Sequence, residues 1–275
     1  MGICSSQPVL PLSQAVSQLI GSSKALSGGS FKIEHIKDAK DPRFPAVVEA
    51  IARSFAGTTD QGPDTTVGWI FDCSLEPGKE LAAGPSEPRR KWFDWFAKFC
   101  VLFGLSRGGV FALTENDKVI GATVAILPGR SSDMSSCEMM GLFLKAGFPP
   151  GGDDTSNVCG SINARDEVTQ KAMADLQKAH VPQDMQRLYI FNLGVLPEAQ
   201  GKGAGSALLS WLAEVADAEG CPAWLETSGA QHEAFYSRKG GFVVKERKNV
   251  VAKAGPKDAS DSTLTLIGML RPKSG

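Results

Sequence analysis

The chain has 275 residues, of which 42% are hydrophobic and 21% charged, and its formal net charge is −1. That charge gives no basic surface for nucleic acid, and no apolar run is long enough for a membrane helix. The length suits one large domain or two small ones.

Residues 1–30 are rich in Ser, Gln, Ala, Leu and Gly and read as a flexible tail, with a weak helix over Leu12 to Ile20. The opening Met1-Gly2-Ile3-Cys4-Ser5-Ser6 fits the N-myristoylation pattern, with Gly2 exposed once Met is removed and Ser6 in the required place. Cys4 beside it is a palmitate acceptor, and two chains hold a membrane where one holds only marginally. Two readings stand side by side: acylation, which attaches the protein to the cytoplasmic face of a membrane, and a chance match in a cytoplasmic protein.

Phe31 to Ile36 alternates as a strand does, and Pro45 to Phe55 carries Val48, Ile51, Ala52 and Phe55 on one helical face. Gly57 to Gly68 reads as a polar loop. A second helix, Arg89 to Phe103, bears an aromatic stripe of Trp92, Trp95, Phe96 and Phe99, read as core rather than ligand box. Gly109–Leu113 and Val119–Leu127 form a hairpin around Thr114-Glu115-Asn116-Asp117. Gly129 to Asn163 is rich in Ser and Gly and reads as a surface loop or lid, with a short helix over Glu138 to Lys145. Ala164 to Ala179 is a helix with Val168, Ala172 and Leu176 on one side.

The most informative stretch follows. Leu188 to Val195 is an apolar run with one polar residue, Asn192, and reads as a buried strand in which Asn192 orients substrate or satisfies a bulge. After the turn Leu196-Pro197-Glu198-Ala199 comes Gln200-Gly201-Lys202-Gly203-Ala204-Gly205-Ser206. The helix behind it places Ala204, Ala207, Leu208, Trp211, Leu212 and Val215 on one face, and Gly220 closes it. Ala223 to Ser228 is the next strand, so the whole is a parallel βαβ unit. Three glycines in five residues let a ligand approach the backbone, and a helix N-terminus behind them favours a phosphate or pyrophosphate. A P-loop fits poorly, because Gly203 stands where Ser or Thr is needed; a dinucleotide fingerprint fails because Ser206 replaces its third glycine. Later, His232 to Lys239 reads as a short helix, Phe242 to Lys245 as a strand, and Thr263 to Leu270 as the last strand.

Gln200, Gly203 and Gly205 match the Q/R-x-x-G-x-G/A motif, and the stretch resembles the GCN5-related N-acetyltransferase (GNAT) superfamily. Q-G-K-G-x-G-S, Leu225-Glu226-Thr227-Ser228 and the Phe235-Tyr236 pair before Gly241-Phe242 are most similar to the puromycin N-acetyltransferase type. The likeness is strong from Arg187 to Val244 and absent from the first 30 residues. It implies an α/β GNAT fold over 31–272: a mixed central sheet, a parallel βαβ unit at its splayed centre, and helices on both faces. It also implies an acyl-CoA-dependent N-acetyltransferase that uses acetyl-CoA as co-substrate, without metal, on a primary amine of a small molecule, by direct attack in a ternary complex. Two alternatives are a CoA-binding sensor or scaffold without turnover, and an acetyltransferase of protein N-termini or lysines.

The resemblance assigns Leu193, Gly194 and Val195 to the pantetheine arm, and Gln200, Gly201, Lys202, Gly203, Ala204, Gly205 and Ser206 to the pyrophosphate. It also gives Tyr236 a contact with the cofactor and the role of protonating the leaving thiolate. His232 stands where the family usually has an Asn that contacts the cofactor. Glu226, the one charge in a strand expected to be buried, reads as the base or as a structural hydrogen-bond partner. The histidines His35, His180 and His232 lack metal-ligand spacing, and the six cysteines, without a C-x-x-C pair, read as reduced thiols.

Overall fold

The computed structural model describes residues 11–20, 23–26, 29–57, 64–72, 87–150, 162–182, 184–252 and 262–274. Eight strands form one sheet: β1 (Ser23–Leu26), β2 (Gly29–His35), β3 (Val110–Glu115), β4 (Lys118–Ile126), β5 (Leu188–Val195), β6 (Ala223–Ser228), β7 (Val243–Ala252) and β8 (Ser262–Arg271). Their order is β1-β2-β3-β4-β5-β6-β8-β7. The β5–β6 pair is parallel and the other neighbours are antiparallel. The helices are α1 (Gln14–Leu19), α2 (Phe44–Ala56), α3 (Thr65–Asp72), α4 (Glu87–Ser106), α5 (Ser136–Ala146), α6 (Ile162–His180), α7 (Ala204–Ala218) and α8 (Ala230–Gly240). Among the described residues two large apolar clusters flank the sheet, one setting α2, α4 and α6 against it and the other α1 and α7, and a small third one joins Val67 of α3 to Trp92 and Phe93 of α4. This is the mixed sheet with helices on both faces that the sequence implied.

The six apolar residues read as one face of α7 are all buried. The tail reading fails for residues 14–20 and 23–26, because Ser13 caps α1, Val16 is buried, Trp211 Nε1 donates to Leu19 O at 3.2 Å and β1 pairs with β2. Residues 1–10, with Gly2 and Cys4, lie outside the described residues. The expected loop 57–68 ends earlier, since Asp64 Oδ1 accepts from the amides of Thr66 and Val67 and starts α3. The hairpin turn shrinks to Asn116-Asp117, both at positive φ, as a two-residue turn requires. On α6 the buried face is Arg165, Thr169, Ala172 and Leu176, while Val168 is exposed. The reading of six reduced thiols is corrected at Cys137, which is disulfide-bonded to a residue outside those described; Cys100 and Cys221 are free and buried.

Two details at the centre of the sheet make the site. The β4–β5 register shifts between Val124↔Asn192 and Ala125↔Ile190, so Phe191 is bulged out. Beyond it β5 and β6 diverge, for they pair only at Leu188↔Ala223 and Tyr189↔Trp224. Helix α2 packs on the bare backbone of β5: a Cβ on Gly194 would lie 2.1 Å from Ser54 Oγ.

Candidate active site

The divergence of β5 and β6 opens a cleft of about 1030 Å³. One half is bounded by the end of β5, the glycine turn and α8. Leu193, Gly194 and Val195 line it, on an edge of β5 that β6 leaves unpaired. A single 3₁₀ turn, Pro197–Ala199, carries the chain into the glycine turn, which two side chains brace: Gln200 Nε2 donates to Val195 O at 3.0 Å and Lys202 Nζ to Glu198 O at 2.7 Å. Gly201 and Gly203 have φ of 73° and 89°, and a Cβ on either would meet nothing within 4 Å. Glycine is needed there for conformation rather than room. No side chain caps α7, so its first amides open onto the cleft, where Gly203, Gly205 and Ser206 are all lining residues. Ala204 differs: it is buried beneath the turn and anchors the helix.

Tyr236 lines the same half from α8, its ring packed edge-on to Phe235 (5.2 Å) and Phe242 (6.0 Å). Among the described residues its hydroxyl has no hydrogen-bond partner. Burial, with the nearby Asp64 charge behind it, raises the phenol's pKa, so the hydroxyl keeps its proton. One turn earlier on α8, His232 Nδ1 lies 3.1 Å from Ser228 O and 3.6 Å from Asp64 Oδ2. A carbonyl only accepts, so Nδ1 carries the hydrogen and Nε2 keeps its lone pair in the neutral ring.

Glu226 lines the cleft from β6. Trp224 Nε1 donates to its Oε1, and Tyr189 and Gln177 stand close enough to stabilise its charge, with Arg187 beyond. Burial outweighs them and pushes the carboxyl above the usual range, toward the pH at which a carboxylate works as a base. Asn192 sits at the bulge. Its backbone carbonyl accepts from Thr123 Oγ1 at 2.7 Å, while its side-chain Oδ1 is buried without a partner among the described residues.

The second half of the cleft is built by residues that sequence reasoning did not collect: Phe55 from α2, Asp64 and Val67 around the start of α3, and Asp166 and Met173 from α6. Trp92 and Phe96 complete it. The reading of their stripe as core is therefore only half right: Trp92 is buried, Phe96 is half-buried, and both line the cleft, stacked at 5.1 Å and 11°. The one local signal for Asp166 was an acid on the cleft-side row of α6 with Thr169, Gln170 and Met173, at helical spacing.

Residues 150–242 match the model of the acetyltransferase (GNAT) family. Among solved structures, the chain is similar to the C-terminal condensation domain of Ebony in complex with beta-alanyl-dopamine, at 10% identity over 88% of this chain and 99% of that one, with a TM-score of 0.53. It is also similar to arylalkylamine N-acetyltransferase 2 from Aedes aegypti, at 16% identity over 88% and 98%, with a TM-score of 0.51. Both share the fold. The matched segment contains β5, the glycine turn, α7, β6 and α8, which together form the first half of the cleft.

Proposed function

We propose that the enzyme moves acetyl from acetyl-CoA to a primary amine of a small molecule, by direct attack while both are bound, and that its nearest kin within the family are the puromycin N-acetyltransferases. One observation carries the reading: the gap between β5 and β6 joins a half furnished for phosphates to a half walled by aromatic and acidic side chains. The kinship rests on the Gln200–Ser206, Leu225–Ser228 and Phe235-Tyr236 runs. The Ebony domain holds beta-alanyl-dopamine and the mosquito enzyme is named for arylalkylamines, which supports a small acceptor.

The residues suit acetyl-CoA. Gly201 and Gly203 leave open space where a side chain would stand, α7 is uncapped, and the β5 edge has free backbone groups for an extended amide chain. The amides of Gly201 to Ser206, with Lys202, would hold the pyrophosphate, and Leu193 to Val195 the pantetheine. His232 Nε2 can accept a hydrogen bond from an amide N–H, which replaces the contact an Asn makes elsewhere in the family. When bound, acetyl-CoA supplies an electrophilic thioester. Asn192 Oδ1 accepts an N–H of the incoming amine and fixes its approach. Glu226 takes a proton from that amine, directly or through water. Tyr236, which lines the cleft from α8, would donate its hydroxyl hydrogen to the departing sulfur. Holding both reactants in one cleft removes much of the entropic barrier.

The test is the purified protein with acetyl-CoA and a panel of small amines and peptides, followed by thiol release. Turnover confined to small amines is expected; turnover confined to peptides would overturn the acceptor assignment. The same proposal places the protein in the cytoplasm and includes acylation at Gly2 and Cys4, on the sequence alone. Among the described residues no helix is long and apolar enough to cross a membrane.

A further inference from the structure

The charges that line the cleft are sorted by sign. Its lysines, Lys202 and Lys239, stand on the glycine turn and α8. Its carboxylates, Asp64, Asp166 and Glu226, stand on the start of α3, on α6 and on β6. Two of the three have donors of their own: Asp64 accepts from the amides of Thr66 and Val67, and Glu226 accepts from Trp224 Nε1 and feels the charge of Arg187. For Asp166 the one donor among the described residues is Gln170 Nε2, at 3.3 Å, and no cation among them bears on it. Burial raises its pKa accordingly. An unpaired carboxylate in an apolar setting is costly and is relieved by a cation.

The walls beside it suit such a cation. Trp92 and Phe96 are stacked face to face, and Phe55 meets Phe96 edge-on at 6.4 Å. Flat rings of this kind take an aromatic or apolar body and attract positive charge through their faces. A second, independent sign that a nitrogen ligand belongs here is Asn192: it is 6% exposed, lines the cleft, and leaves Oδ1 buried without a donor among the described residues. The site thus has an acceptor for one N–H at the strand gap and a free negative charge on α6.

We propose that Asp166 is the counter-ion for a second positive charge on the acceptor, so that the preferred substrates are diamines whose aromatic or apolar body lies along Trp92 and Phe96. One nitrogen is held at Asn192 and acetylated; the other stays protonated at Asp166. This rests on the acetyltransferase reading above and narrows its substrate class.

The test uses a matched pair, para-xylylenediamine and para-methylbenzylamine, which differ by one amino group. Binding of each to the full-length protein is measured by calorimetry, and turnover by thiol release from acetyl-CoA. The diamine is expected to bind about tenfold tighter or more, the effect of one well-placed ion pair. Asp166→Asn, nearly isosteric and checked by unchanged acetyl-CoA binding, should bring the diamine-to-monoamine ratio close to one. Equal binding of the two amines by the parent, or a ratio kept by Asp166→Asn, overturns the proposal. A diamine preference in binding, lost in Asp166→Asn, with no thiol released from any amine would overturn the acetyltransferase reading and keep only Asp166 as the counter-ion of a bound diamine. Turnover without diamine preference would do the reverse.

Discussion

Gly203 separates charge from backbone at the phosphate end of the cleft. It opens α7 with φ of 89°, and a Cβ there would meet nothing within 4 Å. Asp and Asn therefore fit with the same shape and the same strain. A left-handed non-glycine residue costs roughly 1–2 kcal/mol, with Asn and Asp at the low end. Asp should be slightly the more stable of the two, by about 0.3–1 kcal/mol, because its charge meets the positive end of the helix. Acetyl-CoA affinity should run the other way. At about 6 Å, two like charges repel by about 0.7 kcal/mol in a water-like medium and about 2.8 kcal/mol at an effective dielectric of 20. The site is partly open, so for two phosphate charges a total of about 1.5–3 kcal/mol is reasonable. That corresponds to roughly ten- to hundredfold weaker binding for Gly203→Asp than for Gly203→Asn. Calorimetry on both variants at two salt concentrations, beside their melting curves, measures it; added salt should narrow the gap. Equal affinities for the two variants would refute the placement of phosphates at this turn.

Tyr236→Phe removes a hydroxyl and keeps a packed ring, so kcat should fall about 10²-fold with acetyl-CoA affinity nearly unchanged, as read from steady-state thiol release. The phenol's raised pKa lies above a thiol's ordinary 8.5 or so, which makes it a hydrogen-bond donor to the sulfur more than a full proton donor. Full turnover by this variant would remove Tyr236 from the chemistry. Glu226→Gln should lose activity least at high pH, where the amine is already neutral; a loss equal at every pH would argue against a base. The same variant bears on stability. Burial raises the Glu226 pKa, so the folded state holds this proton more tightly than the unfolded chain. Its contribution is full below the unfolded value of about 4.3 and is lost as pH rises through the folded one. Glu226→Gln should flatten that fall in urea midpoints across the range, and an unchanged slope would contradict it. Gly2→Ala in a fluorescent fusion should become soluble where the parent is membrane-bound, and identical distributions would dismiss acylation.

What was legible in the sequence was local. The face of α7 shows because six apolar residues recur at helical spacing, and each is buried. The glycine turn shows because its residues are contiguous and their φ values are forced by backbone geometry. The face of α6 did not show, because it buries Arg165 and Thr169, which a hydrophobic pattern counts as outward; Arg165 Nε donates to Ile70 O and Thr169 Oγ1 to Arg165 O. Strand β7 reads as ending at Lys245 but continues to Ala252, since its polar half pairs residue by residue with β8, far along the chain. The second half of the cleft escaped for the same reason. Phe55, Asp64, Phe96 and Asp166 come from four helices or their caps, and no spacing rule joins them.

The order β6-β8-β7 also bears on how the protein is made. β8, Ser262–Arg271, is the last strand in sequence among the described residues yet lies inside the sheet, hydrogen-bonded to β6 on one side and β7 on the other. As the chain leaves the ribosome, β7 appears first and has no neighbour to pair with. The free edge of β6, which includes Glu226, stays exposed until residue 271 has been added. The last strand must then slot between two waiting edges, a long-range pairing of the slow kind. The cleft therefore takes shape after synthesis of this region, and the two open edges of that interval are where a chaperone would bind or aggregation would start.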